Sequence, residues 1–433
     1  MKVIDFKNAS CKHCYKCVRS CSVKAIKVKD AQATIMDDHC VLCGTCLEVC
    51  PQNAKTFVSD LEKVRAFITM GEKTIVSLAP AYLGIFDYDK PGQVVDALLR
   101  LGFSEVRETA EGAAYVTEAY TRLLAEGQMK NIISTCCPSV NELVEKYYPE
   151  LVEYMAPVVS PMIAHGKLIK SMYGPDVKVV FVGPCIAKKQ EAEGDDRTTG
   201  FVDAVLNFEE IESWLQERDI SIRECEEKQP TNPDPKVNRL YPVTNGVISS
   251  VLAKKKVDSY KKIFVDGIED CREVFEDMKK GLIENCFIEA NMCEGGCVKG
   301  PAVNKLHISK YKATMVIEEQ VEKQDPAYPQ LAGNIDINKH FRSERIQDEM
   351  PTEEQITRIL KATGKYNKTQ ELNCGACGYP TCRDKAIAVF QGKAEQEMCL
   401  PHVYEKARSM SNVVLEATPE IILIVDSAFQ ISE

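Results

Sequence analysis

The sequence predicts an α/β core set between two cysteine-rich ends, an α+β module in front and a small helical module behind. Three observations carry this. Short apolar segments, "KTIVSLAP", "NIISTCCP", "VKVVFVGPC" and "KKIFVDG", alternate with helical stretches from about residue 61 to 350, the pattern of βαβ units and parallel sheets. Two runs of four cysteines with the same spacing precede that region, and a further group of four follows it. With 433 residues the chain also exceeds what one compact core accommodates. The linear reading is therefore modules at 1–60, 61–350 and 351–402, and a terminal segment at 403–433.

Composition sets the outer limits. Hydrophobic residues make up 45% and charged residues 27%, the balance of a soluble globular chain. The opening "MKVIDFKNASCKHC" lacks the apolar run of a signal peptide. No stretch approaches the roughly 20 apolar residues of a membrane helix, so we expect a cytoplasmic protein with no membrane partner. A net charge of −10 argues against nucleic acid, whose binders carry a basic face. Twenty cysteines without a secretion signal point to a reducing compartment. Thiols there bind metal or do redox chemistry more often than they pair.

The first module is read from spacing. Cys11, Cys14, Cys17 and Cys21 follow C-x2-C-x2-C-x3-C, and Cys40, Cys43, Cys46 and Cys50 repeat it before Pro51. This is the spacing of a two-cluster bacterial ferredoxin, in which the fourth cysteine of each run serves the other cluster. The expected 4Fe-4S ligand sets are Cys11, Cys14, Cys17 and Cys50, and Cys40, Cys43, Cys46 and Cys21. A pair of zinc sites is the alternative, but zinc usually takes paired ligands separated by longer loops. "AIKVKDAQATIMDD" between the runs reads as a hairpin. Ser22 follows Cys21 where proline is usual, which affects the turn and not the ligands.

In the middle region the strands end in cysteine. "PGQVVDALLRLG" and "SVNELVEKYYPELVEYM" read as helices between them. Cys136 and Cys137 stand in "STCCPSV", Cys185 follows "VKVVFVGP", and Cys293 and Cys297 follow "CFIEANM". Parallel sheets bind ligands beyond the carboxyl ends of their strands, so thiols brought there from distant segments suggest one metal cluster. The neighbours Cys136 and Cys137 are poorly suited to a disulfide, which wants its Cα atoms well apart.

The last module holds Cys374, Cys377, Cys382 and Cys399 in "NCGACGYPTCRDKAIAVFQGKAEQEMC". It resembles a small 4Fe-4S domain of multi-cluster redox proteins. Gly375 and Gly378 let the backbone wrap a cube closely, and zinc would suit the same thiolates. Cys225, Cys271 and Cys286 are left as structural. After Cys399 a helix is expected, with Val403, Ala407, Met410, Val414 and Ala417 stepping as a heptad seam. That seam predicts a homodimer, and a simple packed helix is the alternative. The closing "ATPEIILIVDSAFQISE" resembles the opening strands of a PAS sensory domain. Such a domain needs about 100 residues, which gives the expectation of a longer parent protein.

Three segments in order, "STCCPSV", "GPCIAKKQEAEG" and "FIEANMCEGGCVKG", resemble the signatures of iron-only (FeFe) hydrogenases, and the resemblance spans residues 1 to about 305. It implies a two-lobed hydrogenase domain whose parallel sheets flank an H-cluster. That group is a 4Fe-4S cube joined through a cysteine sulfur to a two-iron unit carrying CO, cyanide and a bridging dithiolate amine (azadithiolate). By motif position Cys137, Cys185, Cys293 and Cys297 match the cube ligands, with Cys297 the bridging one. Lys188 matches the lysine that hydrogen-bonds a cyanide, and Ala79 and Pro80 match a loop beside the other cyanide. Cys136 matches the thiol that hands protons to and from the bridging amine. A solvated lysine and a spectator thiol are the alternatives for Lys188 and Cys136.

The departures matter as much. Gly183 and Asn291 stand where the family has pocket methionines, and Pro301 where it has a glycine run. Ala156 replaces a serine of the family's proton route, and only Glu118, in uncertain register, offers a carboxylate on the preceding helix. Alanine passes no proton. Three functions compete. The first is a sensory hydrogenase with H2 and protons as reactants and a signalling output. The second is a bulk-turnover enzyme working with ferredoxin. The third is a non-catalytic iron-sulfur protein that never receives the two-iron unit. The altered pocket and the C-terminal modules favour the first over the second. Cys136, Lys188 and Cys297 favour both over the third, and CO and cyanide infrared bands discriminate it.

Overall fold

Strand and helix alternate as the apolar periodicity requires. The structure, a computed structural model, describes residues 2–6, 10–232, 234–256, 259–303, 308–322 and 328–417, without the side chains of 410–417. The strands are β1 Ile4–Phe6, β2 Ile26–Lys29, β3 Gln32–Ile35, β4 Lys55–Phe57, β5 Thr74–Leu78, β6 Glu105–Glu108, β7 Ile132–Ile133, β8 Lys178–Gly183, β9 Ala204–Asn207, β10 Lys261–Asp266 and β11 Cys286–Asn291. They fall into two compact units, residues 1–10 with 37–346, and residues 11–36 with 347–433. This grouping cuts across the linear modules read from the sequence.

The first unit contains two parallel sheets. One has the order β6-β5-β8-β9 and the other β10-β11-β7. β5 and β11 are buried along their whole length, as expected of strands covered on both faces. Helices Gly92–Arg100, Ala110–Glu126, Pro161–Tyr173 and Phe208–Glu217 supply much of that cover, and Ile75, Leu98, Tyr120, Ile163 and Trp214 are fully buried in the core they build. A short antiparallel pair, β1 with β4, completes the unit.

One helix predicted as continuous is broken. "SVNELVEKYYPELVEYM" folds as the α-helix Pro138–Tyr147 followed by a separate 3-10 segment Pro149–Tyr154. Proline lacks the N–H that would continue the ladder and pushes the residue before it out of the helical region; Tyr148 sits at φ −131°.

The second unit has the expected hairpin, β2 against β3, in the register Ile26 to Ile35 through Lys29 to Gln32. Asp30 and Ala31 make its turn with φ of 50° and 57°. Helices Glu353–Ala362 and Cys382–Phe390 pack through Ile356, Leu360 and Ala386. The helix expected after Cys399 runs Leu400–Ala417. Of the seam, Met410, Val414 and Ala417 are described in backbone only, and the PAS-like segment beyond Ala417 lies outside the described residues. No helix among the described residues is long and apolar enough to cross a membrane.

Candidate functional site

The carboxyl ends of β7, β8 and β11 deliver cysteines to one place. β7 ends at Ile133 and leads into Cys136 and Cys137, β8 ends at Gly183 before Cys185, and β11 ends at Asn291 before Cys293 and Cys297. All five thiols border a single pocket, together with Lys188. The helix Pro138–Tyr147 starts immediately after Cys137, with Pro138 at its first position. Proline's fixed φ suits a first helical turn, so the adjacent thiols leave a rigid junction.

Each thiol shows a face to the pocket and is enclosed on its other sides. Burial pushes the Cys185 thiol up to about 11, with Cys137 nearby adding to it. Burial likewise raises Cys137, Cys293 and Cys297, and for the last two the neighbouring thiols push further. Four buried sulfurs that would repel one another as thiolates are a donor set that fits a strongly cationic, sulfur-seeking group. Four cysteine sulfurs bordering one pocket are the donor set that a 4Fe-4S cube takes.

Lys188 is buried at the pocket wall. Its Nζ donates to the Cys136 carbonyl at 3.1 Å and to Glu191 Oε2 at 2.8 Å. An ammonium has three donors, so one N–H remains to face the pocket. Burial works to lower this lysine, but Glu191 and Cys185 outweigh it and hold it above its ordinary value. Ser160 Oγ also donates to Glu191 Oε2, at 2.9 Å. Glu191 Oε1 has no hydrogen-bond partner among the described residues. Glu191 was not singled out from the sequence; its place three residues past Lys188, one helical turn on, was the available signal.

Cys136 meets a partner that sequence reasoning missed. Tyr120 OH lies 3.2 Å from Cys136 Sγ and accepts the Thr135 N–H at 2.8 Å. Burial pushes the Cys136 thiol up to about 12, while the Tyr120 hydrogen bond and Lys188 oppose that. Glu118, two residues earlier on the same helix, turns to solvent and pairs with Lys254. Glu111 points into the core, bound to Arg107 at 2.8 Å and His165 at 3.1 Å. Ala156 is fully buried and contributes its carbonyl to Thr135 Oγ1 at 3.1 Å.

The altered positions have structural counterparts. A Cβ on Gly183 would fall 2.6 Å from the Phe181 ring and 3.0 Å from Ala79 Cβ, so the Phe181 ring stands where a side chain at 183 would project. Asn291 lines the pocket and donates to Glu289 Oε1 at 3.2 Å. Pro301 packs on Gly44, whose added Cβ would lie 2.4 Å from it. Ala79 and Pro80 are buried at the end of β5, with Ala79 N–H bonded to Val182 O, but they are not part of the pocket lining.

The second cysteine run belongs to the same unit and reaches the site. Leu42 and Cys43 line the pocket. Ser139 Oγ donates to Leu42 O at 3.1 Å, Lys146 Nζ to Cys40 O at 2.8 Å, and Tyr147 OH to His39 O at 2.7 Å. The helix that begins after Cys137 therefore also holds this run. Cys46 and Cys50 follow in it, with Ala54 N–H on Cys50 Sγ at 3.4 Å. Cys11, Cys14, Cys17 and Cys21 lie in the other unit, as do Cys374, Cys377, Cys382 and Cys399, which border a pocket of their own. Cys225, Cys271 and Cys286 are buried and hydrogen-bonded to Ser221 O, Asn291 O and Glu284 O.

Comparison with known proteins agrees with this geometry. Residues 72–301 match the family described as iron only hydrogenase large subunit, C-terminal domain. Residues 10–54 match a 4Fe-4S dicluster domain and residues 370–401 an Fe-S cluster family. Iron hydrogenase 1 of Clostridium pasteurianum is 26% identical over 66% of this chain and 68% of its own length. The NADP-reducing hydrogenase subunit HndD of Solidesulfovibrio fructosivorans is 24% identical over 62% of this chain, which spans 56% of that relative. The periplasmic Fe hydrogenase large subunit of Nitratidesulfovibrio vulgaris is 28% identical over 48% of this chain and 61% of its own. Among solved structures, a variant of the FeFe-hydrogenase HydA1 from Chlamydomonas reinhardtii superposes with a TM-score of 0.53 at 17% identity, covering 67% of this chain and 100% of that one.

Proposed function

Because the chain belongs to the iron-only hydrogenase family, we propose that it is a sensory FeFe hydrogenase. It interconverts H2 with two protons and two electrons slowly, and 4Fe-4S groups carry its redox state to a signalling output. The single observation that carries this reading is the gathering of five thiols and Lys188 from three strand ends into one pocket. Cys137, Cys185, Cys293 and Cys297 would hold the H-cluster, with Cys297 as the bridging ligand. Bound there, that group supplies the two-electron chemistry of hydrogen.

The chain's own residues do the rest. Lys188, anchored by Cys136 O and Glu191, would have one N–H left to hold an anionic cyanide of that group, a charge-assisted contact. Cys136 holds the proton at Sγ, and Tyr120 fixes where that thiol points. Leu42 and Cys43 put the second cysteine run at the pocket wall, which supports electron exchange there. The two N-terminal runs and the C-terminal four cysteines would each carry 4Fe-4S groups, and the protein would act in the cytoplasm.

The slow rate follows from the proton side. Ala156 carries no proton, and Glu118 and Glu111 are both committed elsewhere. Losing a positioned acid–base group costs about 10² to 10⁴ in rate. The test is H2 evolution and oxidation by matured protein, with Cys136→Ala beside the parent. The expected parent rate lies about 10² to 10⁴ below fast enzymes of the family, lower again in the variant. A parent rate equal to the fast enzymes would favour bulk turnover with ferredoxin. A variant rate equal to the parent's would return Cys136 to a spectator.

A further inference from the structure

We propose that the C-terminal four-cysteine module is the electron sink of this chain. Lys365 and Lys385, set among its cysteines, keep its bound 4Fe-4S group at a higher reduction potential than the ferredoxin-type groups. The inference rests on reading Cys374, Cys377, Cys382 and Cys399 as a cluster set.

Those four cysteines border one pocket together with both lysines. Lys365 Nζ donates to Thr363 O at 2.9 Å, Thr363 Oγ1 at 3.2 Å and Cys399 Sγ at 3.3 Å. Thr363 Oγ1 spends its own hydrogen on Leu360 O at 3.0 Å, so it accepts from the lysine. Three acceptors match the three N–H groups of an ammonium, which builds a positive charge into the wall. Lys385 is 4% exposed, donates to Gln396 O at 2.8 Å, and lies on the helix that begins at Cys382.

Two buried cations are costly unless something anionic faces them. A cube with four thiolates is anionic and gains one further negative charge on reduction. Cations beside it therefore favour the reduced form, since net charge and hydrogen bonds to sulfur set the potentials of such groups. In the ferredoxin-type runs, Cys21, Cys40 and Cys50 accept backbone N–H bonds from Ala25, Leu42 and Ala54, and the ammonium groups of Lys24 and Lys146 rest on backbone carbonyls, whereas Lys365 reaches a cysteine sulfur itself. Solvent does not separate the modules, for Cys14 and Cys374 are both exposed.

Within its compact unit this module abuts the first run. Arg19 Nη1 donates to Ala376 O at 3.0 Å and Lys24 Nζ to Gly378 O at 2.8 Å. Gly378, at φ +98°, admits Val18 where a Cβ would fall 2.7 Å from it. Beside it, buried Tyr379 interacts electrostatically with both Cys377 and Cys21, and its OH has no hydrogen-bond partner among the described residues. H2 oxidation releases two protons and two electrons. Each cube takes one electron and no proton, so one H2 reduces two cubes, and the cube of highest potential fills first.

The experiment is a potentiometric titration of the reconstituted full chain followed by electron paramagnetic resonance. Cys399→Ser assigns the C-terminal signal. That signal should have the highest midpoint in the parent. In Lys365→Met, and in Lys385→Met, it should fall by about 59 mV or more, a tenfold shift for one electron, while Lys365→Arg stays near the parent. A C-terminal midpoint below the ferredoxin-type groups, or one unmoved in both methionine variants, overturns the proposal. Should one methionine variant fail to load its cluster, the other decides. An unchanged iron content in Cys399→Ser, with no signal lost, would overturn the cluster reading itself, which is a different failure.

Discussion

Lys188 and Glu191 form a buried pair whose second carboxylate oxygen has no hydrogen-bond partner among the described residues. Removing one member of such a pair strands a charge and costs about 3–5 kcal/mol. Glu191→Gln should lower stability by that order in urea unfolding, more than Glu118→Gln at the exposed pair with Lys254. Tyr120→Phe deletes one hydroxyl that serves Cys136 Sγ and the Thr135 N–H. We expect a loss of about 1–3 kcal/mol, since a buried donor is left unmet, and a fall in hydrogen turnover with cluster iron retained. Glu289 gives a pH signature. Burial pushes its carboxyl up to about 7, against backbone N–H bonds from Ile248 and its neighbours. A folded pKa above the unfolded one means the native state binds the extra proton, so stability falls as pH rises from about 4.5 to 7. The loss is roughly 3 kcal/mol, and Glu289→Gln should flatten that slope in denaturant midpoints measured at pH 5 and 8.

At the scale of elements, the site depends on a loop seated against a loop. Gly44 has φ +79° and meets Pro301 where a Cβ would lie 2.4 Å away. Gly44→Ala should therefore destabilise the parent, and should cost less in a Pro301→Gly background, where the opposing ring is gone. Equal costs in both backgrounds would show that backbone strain alone sets the penalty. Much here was legible beforehand. Apolar strands running into Cys136-Cys137-Pro138, Gly183-Pro184-Cys185 and Asn291-Met292-Cys293 marked the pocket, because the chain must turn where a parallel strand stops. The β2–β3 hairpin was readable from alternation. Tyr120 was not, since a tyrosine inside "EAYTRLL" looks like core until the facing strand end is known. The break at Pro149 was readable in principle, but the apolar rhythm continues across it. Ala79 and Pro80 were assigned by motif, and the fold buries both at the end of β5.

For the whole molecule, the reading assigns sixteen cysteines to four sets of four. Reconstituted protein should carry sixteen cubane irons per chain, and about half that number, or stoichiometric zinc, would remove the outer modules from the account. The helix Leu400–Ala417 is where we expect a homodimer to form. Deleting residues 403–433 should weaken self-association in light scattering and leave hydrogen chemistry intact; an unchanged dimer would put the interface elsewhere. The central claim is that Cys137, Cys185, Cys293 and Cys297, with Cys136 and Lys188 beside them, hold a complete H-cluster. Infrared spectroscopy of the matured chain tests it most directly. We predict bands in the CO and cyanide stretching region that change on exposure to H2, with Lys188→Met disturbing the cyanide bands. Their absence after maturation, with the cubane irons in place, would contradict the account and leave an iron-sulfur protein that never receives the two-iron unit.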